Sequence, residues 1–224
     1  MEKIYTMALR KEEITRKLLH LFALLMPVGI FYFPRWGIPY PVPVGILAFF
    51  VVGSVAVELL RFRVPAIQKV FYACFGHMLR KEEKAKITGS TYVTAAALIC
   101  SLLFWNHHHV SFMVLTLFIL GDAIAAIVGL SVGRIRIGKK SLEGSAACFF
   151  LCMILFCGLF PFLPGLLDTW GGKVNILIAI VASLSITIFE LIPLKITPKL
   201  VINDNLAVPV ITGGIILLME RMLF

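Results

Sequence analysis

The sequence predicts an all-α fold: a polytopic helical membrane protein with about seven transmembrane helices, forming one membrane domain over residues 1–224. Three observations carry that expectation. Hydrophobic residues make up 60% of the chain and charged residues only 15%, where a soluble domain carries roughly a quarter charged. Mean hydropathy is +0.97, more apolar surface than a small globule can hide from water. The apolar residues also come in runs of about 20, the length at which a helix crosses a bilayer. A disordered chain, a small soluble domain and a disulfide scaffold are thereby set aside. The five cysteines, Cys74, Cys100, Cys148, Cys152 and Cys157, read as small buried hydrophobes without a zinc-type pairing.

In chain order the spans are 17–33, 41–58, 87–104, 110–131, 144–163, 174–192 and 206–220. The N-terminal stretch has no clean signal-peptide cleavage site, so its apolar run is expected to remain as the first span. Pro27, Pro161 and Pro193 lie within or beside spans, where they kink or end helices. The seventh span is short and carries Gly213-Gly214. Of the 21 Lys and Arg residues, 18 fall in the tail before residue 18 and in the stretches 59–86, 132–143 and 193–205. Only Arg35, Lys173 and Arg221 lie on the other side. By the positive-inside rule the N-terminus is cytoplasmic and the C-terminus outside. This bias absorbs most of the +9 net charge without a nucleic-acid partner. Segment 62–82 is too polar to span comfortably. Its Val64, Ile67, Val70, Phe71, Phe75, Met78 and Leu79 recur near helical spacing, which predicts a cytoplasmic interfacial helix.

Carboxylates at membrane depth are costly unless paired, hydrated or metal-bound. Glu58 closes the second span, Glu190 closes the sixth, and Asp122 lies about halfway along the fourth in FILGDAIAAIVG. A glycine-rich basic stretch follows, with Gly129, Gly133, Gly138 and Gly144 around Lys139, Lys140, Ser141 and Glu143. Small residues let backbone approach a ligand or a neighbouring helix closely. Beyond Glu143 a helix begins near Gly144-Ser145, and its free N–H groups favour an anion. Asn203-Asp204-Asn205 opens the last span on the same predicted side. Carboxylates suit Mg²⁺ and phosphate oxygens, and Lys with metal suits a transferring phosphoryl group. GRIRIGKKS is not a P-loop, because Lys140 occupies the hydroxyl position and the stretch joins membrane helices. His20 sits at the cytoplasmic end of the first span, where it meets a phosphate or carboxylate or caps the bundle interior. His107-His108-His109 follow Trp105 at the outer side. Three adjacent rings cannot share one helix face, so they read as interfacial. Trp36, Trp105 and Trp170 read as an outer aromatic belt.

An ordered set of motifs resembles the CTP-dependent lipid kinases, the family of dolichol or polyprenol kinase, yeast-type diacylglycerol kinase and phytol kinase. The matching pieces are Arg16-Lys17 with His20, Glu58 with Arg61, and Thr88-Gly89-Ser90-Thr91-Tyr92. Gly121-Asp122 with Ala125-Ala126, Gly129, Gly133 and Lys140-Ser141-Leu142-Glu143-Gly144-Ser145 follow, then Glu190 and Asp204-Asn205 with Pro209. They run from residue 16 to 209. The resemblance implies Mg²⁺-dependent transfer of the γ-phosphoryl group of CTP to the hydroxyl of a membrane lipid, in the cell membrane with the site facing the cytoplasm. It implies Asp122, Glu143 and Asp204 as metal-associated, with Asp122 and Asp204 favoured as metal-facing. It implies Lys139, Lys140, Ser141, Gly144, Ser145, Gly129, Gly133, Asn205, Arg61 and His20 as the nucleotide side. Glu58 and Glu190 join the catalytic carboxylates. The acceptor stays open among polyprenol, dolichol, diacylglycerol and phytol, and so does the oligomeric state, a homo-oligomer included. Dolichol kinases are longer, so the chain matches their compact core. The family is related more distantly to phosphatidate cytidylyltransferase, the alternative reading, but the longer Ser-Pro-Lys-Lys-Thr-like stretch is missing here. A small transporter or channel is the alternative of another class, with Asp122 as its ion site.

Overall fold

Every predicted span falls on an apolar helix in the computed structural model. It describes residues 20–224 apart from 77, 78, 80, 139, 193, 198 and 199. The basic tail with Arg16-Lys17, and Met78, Lys139, Pro193 and Lys199, lie outside the described residues.

A 3-10 turn, Leu21–Leu24, leads into α1 (Leu25–Tyr32). Then come α2 (Pro41–Arg63), α3 (Pro65–Phe75), α4 (Gly89–Leu103) and α5 (His108–Ser131). Helix α6 (Leu142–Ile154) runs on through a π turn, Leu155–Leu159, and a 3-10 turn, Phe160–Phe162. Helices α7 (Ile176–Leu191) and α8 (Asp204–Leu223) complete the bundle. Among the described residues four helical stretches are long and apolar enough to cross a membrane: Pro41–Arg63, His108–Ser131, Leu142–Phe162 and Asp204–Leu223. Leu21–Tyr32, Gly89–Leu103 and Ile176–Leu191 are apolar but shorter. The fold is therefore an all-α bundle with the make-up of a multi-spanning membrane protein. Phe49, Val52, Phe150, Ile154 and Leu218 point outward, an apolar surface that suits lipid better than water.

Local chemistry sets the helix ends. Pro41 and Pro65 occupy first-turn positions, where the missing N–H costs nothing. Val64 precedes a proline and is extended (φ −116°, ψ 109°), as the proline ring demands, so α2 breaks sharply into α3. The predicted interfacial helix is accordingly shorter than 62–82: it has 11 residues and ends at Phe75. Asn175 caps α7 through the N–H groups of Leu177 (3.0 Å) and Ile178 (3.3 Å). Asn203 caps α8 through Asn205 N–H at 3.0 Å.

Helix α5 runs through the middle, packed against α1, α4, α6, α7 and α8. Val110, Met113, Val114, Leu115, Leu117 and Ile119 are fully buried along it. Cys100, Cys148 and Cys152 are buried as small hydrophobes, while Cys74 and Cys157 are exposed. The connections 64–88, 132–141 and 192–203 gather at one end of the bundle, the loop end. Two short antiparallel hairpins that the sequence did not suggest lie there, β1 (Arg136–Ile137) with β2 (Lys140–Ser141) and β3 (Lys195–Thr197) with β4 (Leu200–Val201). The opposite, aromatic end holds Tyr40 stacked on His108 (3.7 Å between centroids) and edge-on to Trp105 (4.8 Å). Trp36 and Trp105 are exposed there, as a belt requires. Trp170 is not part of that belt: it is buried and its indole N–H donates to Glu220 Oε1 at 2.6 Å.

Candidate functional site

The glycine-rich stretch folds as a tight clasp around Ser141. A side chain at Gly129 would place its Cβ 2.8 Å from Ser141 Oγ, and one at Gly133 would sit 2.7 Å from the same atom. A Cβ at Gly144 would come within 2.5 Å of the Ala125 carbonyl oxygen. These three glycines thus serve close approach between backbones. They press the loop 132–141 and the start of α6 against the last turns of α5. Ser141 Oγ accepts the Gly144 N–H (3.1 Å), and Ser145 Oγ donates to the Ser141 carbonyl (3.1 Å). Glu143 Oε1 accepts the N–H groups of Arg134 (2.9 Å) and Ile135 (3.1 Å). Arg136 donates to the Gly129 carbonyl at 3.2 Å. Gly138, with φ 63°, opens the β1–β2 turn in a conformation few other residues adopt without strain.

The clasp aims Lys140 into the bundle. Its ammonium donates to the Glu190 backbone carbonyl and to Asp204 Oδ2, the latter at 2.8 Å. Glu190 Oε1 lies 3.8 Å from the same nitrogen. Burial alone would lower the Lys140 pKa, but the carboxylates of Glu190, Asp204 and Asp122 outweigh it and raise the pKa above the ordinary lysine value. Three sequence-predicted residues thus meet, Lys140 from β2, Glu190 from the end of α7 and Asp204 from the start of α8, and Asp122 of α5 acts on Lys140 by its charge. A folded-state pKa that is raised adds stability below the unfolded value, about 10.4, and that stability is lost as pH rises through the folded value. We therefore expect the melting temperature in detergent to drop above about pH 10.4, by less in Lys140→Met than in the wild type. Equal drops would show that Lys140 carries no net pairing.

Glu58 and Arg61 form a second buried cluster. Glu58 Oε1 accepts from Thr88 N–H (3.0 Å) and Thr88 Oγ1 (2.6 Å), and its Oε2 lies 2.6 Å from Arg61 Nε. Arg61 also donates to the carbonyls of Glu83 (2.8 Å) and Lys86 (2.6 Å). Glu83 Oε1 accepts the Gly89 N–H at 2.8 Å, so the start of α4 is held from two sides. Asn205 Nδ2 donates to the Gly89 carbonyl at 3.2 Å. That bond joins this cluster to the turn that carries Asp204.

An apolar cavity of about 550 Å³ opens between α1, α2 and α4, lined by Leu25, Ile30, Ile46, Leu47, Phe50 and Val93 among others. A second, of about 480 Å³, reaches Glu58, Glu83 and Thr88. Both are walled by His20, Phe50, Ser54, Ser90 and Thr91.

At the aromatic end His107, His109 and Glu220 form a cluster able to hold a metal ion, with one ligand atom from each within 4.8 Å of the others. Two rings of the histidine run thus face one carboxylate, a pairing that the interfacial reading does not include. His107 precedes α5 with non-helical angles (φ −127°, ψ 55°), so its ring is not bound to the helical step and meets that of His109. Only His108 turns away, onto Tyr40. Glu220 had gone unnoticed. A carboxylate in the last turn of an apolar span, on the same predicted side as three histidines, was the available signal.

No family model matches the chain, and no solved structure matches it. A wheat (Triticum aestivum) protein described as a probable chloroplastic phytol kinase is 31% identical over 132 residues, 56% of this chain and 42% of that protein. The match thus spans less than half the length of the wheat relative. An uncharacterized protein of Rickettsia prowazekii (strain Madrid E) is 24% identical over 203 residues, 88% of this chain and 89% of that protein. The chain is thus distantly similar to a lipid-kinase-like protein over part of its length, and these likenesses single out no specific member of such a superfamily.

Proposed function

We propose that this protein transfers the γ-phosphoryl group of CTP to the hydroxyl of a membrane lipid alcohol, giving a lipid monophosphate and CDP. One observation carries the reading: Lys140 pairs with Glu190 and Asp204 under the charge of Asp122, and Asn205 beside Asp204 bonds to Gly89, the neighbour of Ser90 in the wall of an apolar cavity. Three carboxylates about one ammonium are more negative charge than pairing alone requires, and a buried ion pair is weak evidence of a purely structural role. The cluster is a good reception site for a nucleotide triphosphate and its cation. Asp122, Glu190 and Asp204 are hard oxygen donors of the kind Mg²⁺ takes. Their oxygens do not converge on one point, so phosphate oxygens of the nucleotide would complete the set. Glu143, expected beside Asp122 and Asp204, holds the loop N–H groups instead. When bound, Mg²⁺ would neutralise charge on the β- and γ-phosphate oxygens.

The chain's own residues divide the rest. Lys140 faces the phosphate oxygens. The clasp of Gly129, Gly133 and Gly144 about Ser141 holds Lys140 in place, and Glu143 fixes the loop through Arg134 and Ile135. The cavity between α1, α2 and α4 takes the lipid tail, and its shared wall of His20, Ser54, Ser90 and Thr91 meets the hydroxyl. The lipid oxygen forms its bond to the γ-phosphorus as the bond to the bridging oxygen breaks. The hydroxyl proton passes to a carboxylate of the cluster, and CDP leaves with the bond's electron pair. The basic loop end faces the cytoplasm of the cell membrane in this reading, with seven helices spanning, because 18 of 21 cationic residues lie on that side.

The test uses purified protein, Mg²⁺ and a panel of lipid alcohols: phytol, polyprenol, dolichol and diacylglycerol. Label from γ-labelled CTP is expected on the lipid, with CDP as the other product. Label only from α-labelled CTP, with pyrophosphate and phosphatidate as acceptor, would replace the kinase by a cytidylyltransferase. ATP working as well as CTP would remove the donor assignment.

A further inference from the structure

The cluster at the aromatic end has no part in the chemistry proposed above. Asp204 and Glu220 sit on one helix, α8, 16 residues apart, which is about 24 Å of helical rise. His109 and Asp122 are likewise separated by about 20 Å along α5. The cluster therefore needs its own account.

Glu220 is a carboxylate buried to 8% exposure in the last full turn of an apolar helix. His109 Nε2 lies 2.7 Å from its Oε1, and His107 Nδ1 lies 3.8 Å from its Oε2. Trp170 Nε1–H donates to Oε1 at 2.6 Å, and Thr169 Oγ1 lies 3.3 Å from His109 Nε2. His109 is as buried as Glu220, while His107 is 37% exposed and forms the open rim. Glu220 Oε1 is thus shared by the indole and His109, while Oε2 turns toward His107.

We propose that His107, His109 and Glu220 bind a borderline transition-metal ion of the Zn²⁺ class. The donor set decides the class. Two imidazoles and one carboxylate suit zinc and its neighbours, whereas Mg²⁺ takes oxygen alone. Distances agree: tetrahedral zinc with bonds of about 2.0–2.1 Å holds its ligand atoms about 3.3 Å apart. That value lies between the two separations just given, so small side-chain shifts complete the site. The ion would replace the hydrogen bond between His109 and Glu220. Its fourth position opens at the His107 rim, where water completes the set. Trp170 keeps Glu220 oriented from outside the ligand set, the part that outer-shell donors play in metal sites. The ion ties the start of α5 to the end of α8, and the Trp170 bond to Glu220 joins the turn at 168–170 to them. Its role is a staple of the aromatic end, independent of the kinase reading.

The experiment uses the full chain, purified in detergent, stripped with a chelator and then dialysed. Zn²⁺ alone is expected to bind one ion per chain and to raise the melting temperature, with Mg²⁺ giving no such rise. Co²⁺ in its place is expected to give visible absorption of a four-coordinate site. His107→Ala, whose side chain is at the rim and bears little packing, should lose at least tenfold in Zn²⁺ affinity while folding normally. Glu220→Gln keeps the shape and an acceptor for Trp170, and should lose more. Lys140→Met should bind Zn²⁺ as the wild type does. No saturable Zn²⁺ binding by the wild type would overturn the proposal, since the three residues would then form only a hydrogen-bonded pair with a bystander. Binding unchanged in His107→Ala and Glu220→Gln, or weakened in Lys140→Met, would overturn it as well.

Discussion

Arg61→Met is expected to destabilise the protein by about 3–5 kcal/mol, the cost of breaking a buried ion pair from one side. Arg61 is 1% exposed and Glu58 2% exposed. The guanidinium is held by Glu58 and by the Glu83 and Lys86 carbonyls, and lies between the rings of Phe62 (4.6 Å) and Phe71 (4.5 Å). Methionine fills part of the space between the rings but leaves two carbonyls and Glu58 Oε2 without their donor. The loop before α4 loses its tie, and Ser90 moves with it. Adding Glu58→Gln removes the stranded charge, so the double variant should recover part of the loss, a coupling that a double-mutant cycle reads directly. The measurement is unfolding in detergent for both single variants and the double. A loss below about 1 kcal/mol for Arg61→Met would place the pair among salt bridges of little worth.

Asp122→Asn is expected to cut lipid phosphorylation at least about a hundredfold, roughly 3 kcal/mol at the transition state and the scale of one deleted electrostatic contact. Asparagine keeps the size of the side chain and costs less to bury than a carboxylate, so insertion and folding should persist. Glutamate sets the carboxylate about 1.5 Å further out and should rescue poorly with Mg²⁺, whose geometry is strict. A purely structural Asp122 would behave differently. It would then serve only to offset the Lys140 charge, and Asn would lower the melting temperature while turnover per folded molecule held. Turnover across a Mg²⁺ titration, beside a melting curve, separates the two. Near-normal turnover with unchanged Mg²⁺ dependence would take Asp122 out of the site.

The helices were legible because apolar runs and prolines mark them directly: Pro41 stands where one helix begins. The break between α2 and α3 was not, because it falls at Val64-Pro65 inside the predicted segment 62–82, where apolar spacing marks no boundary. Lys140, Glu190 and Asp204 stood out singly as polar residues at or near span ends and Asp122 as a carboxylate midway along one, and the antiparallel run of helices gathers the first three at the loop end. The glycines were read as serving either a ligand or a neighbouring helix, and Ser141 shows the neighbour. The Glu58–Thr88 and His109–Glu220 bonds were beyond reach: their partners lie 30 and 111 residues apart, and periodicity carries nothing about which faces of distant helices meet.

The short helices also bear on the surrounding bilayer. Helix α4 has 15 residues and α7 has 16, or roughly 22–24 Å of rise, against a hydrocarbon core of about 30 Å. Both reach the loop end beside Lys140 and fall short of a full crossing. Lipids next to them must thin to match, at a modest cost per ångström. Headgroups and water would be drawn inward beside them. In the proposed reaction a lipid that gains a phosphate at such a thinned rim would lie in the wet layer, free to leave sideways without hauling two negative charges through oil.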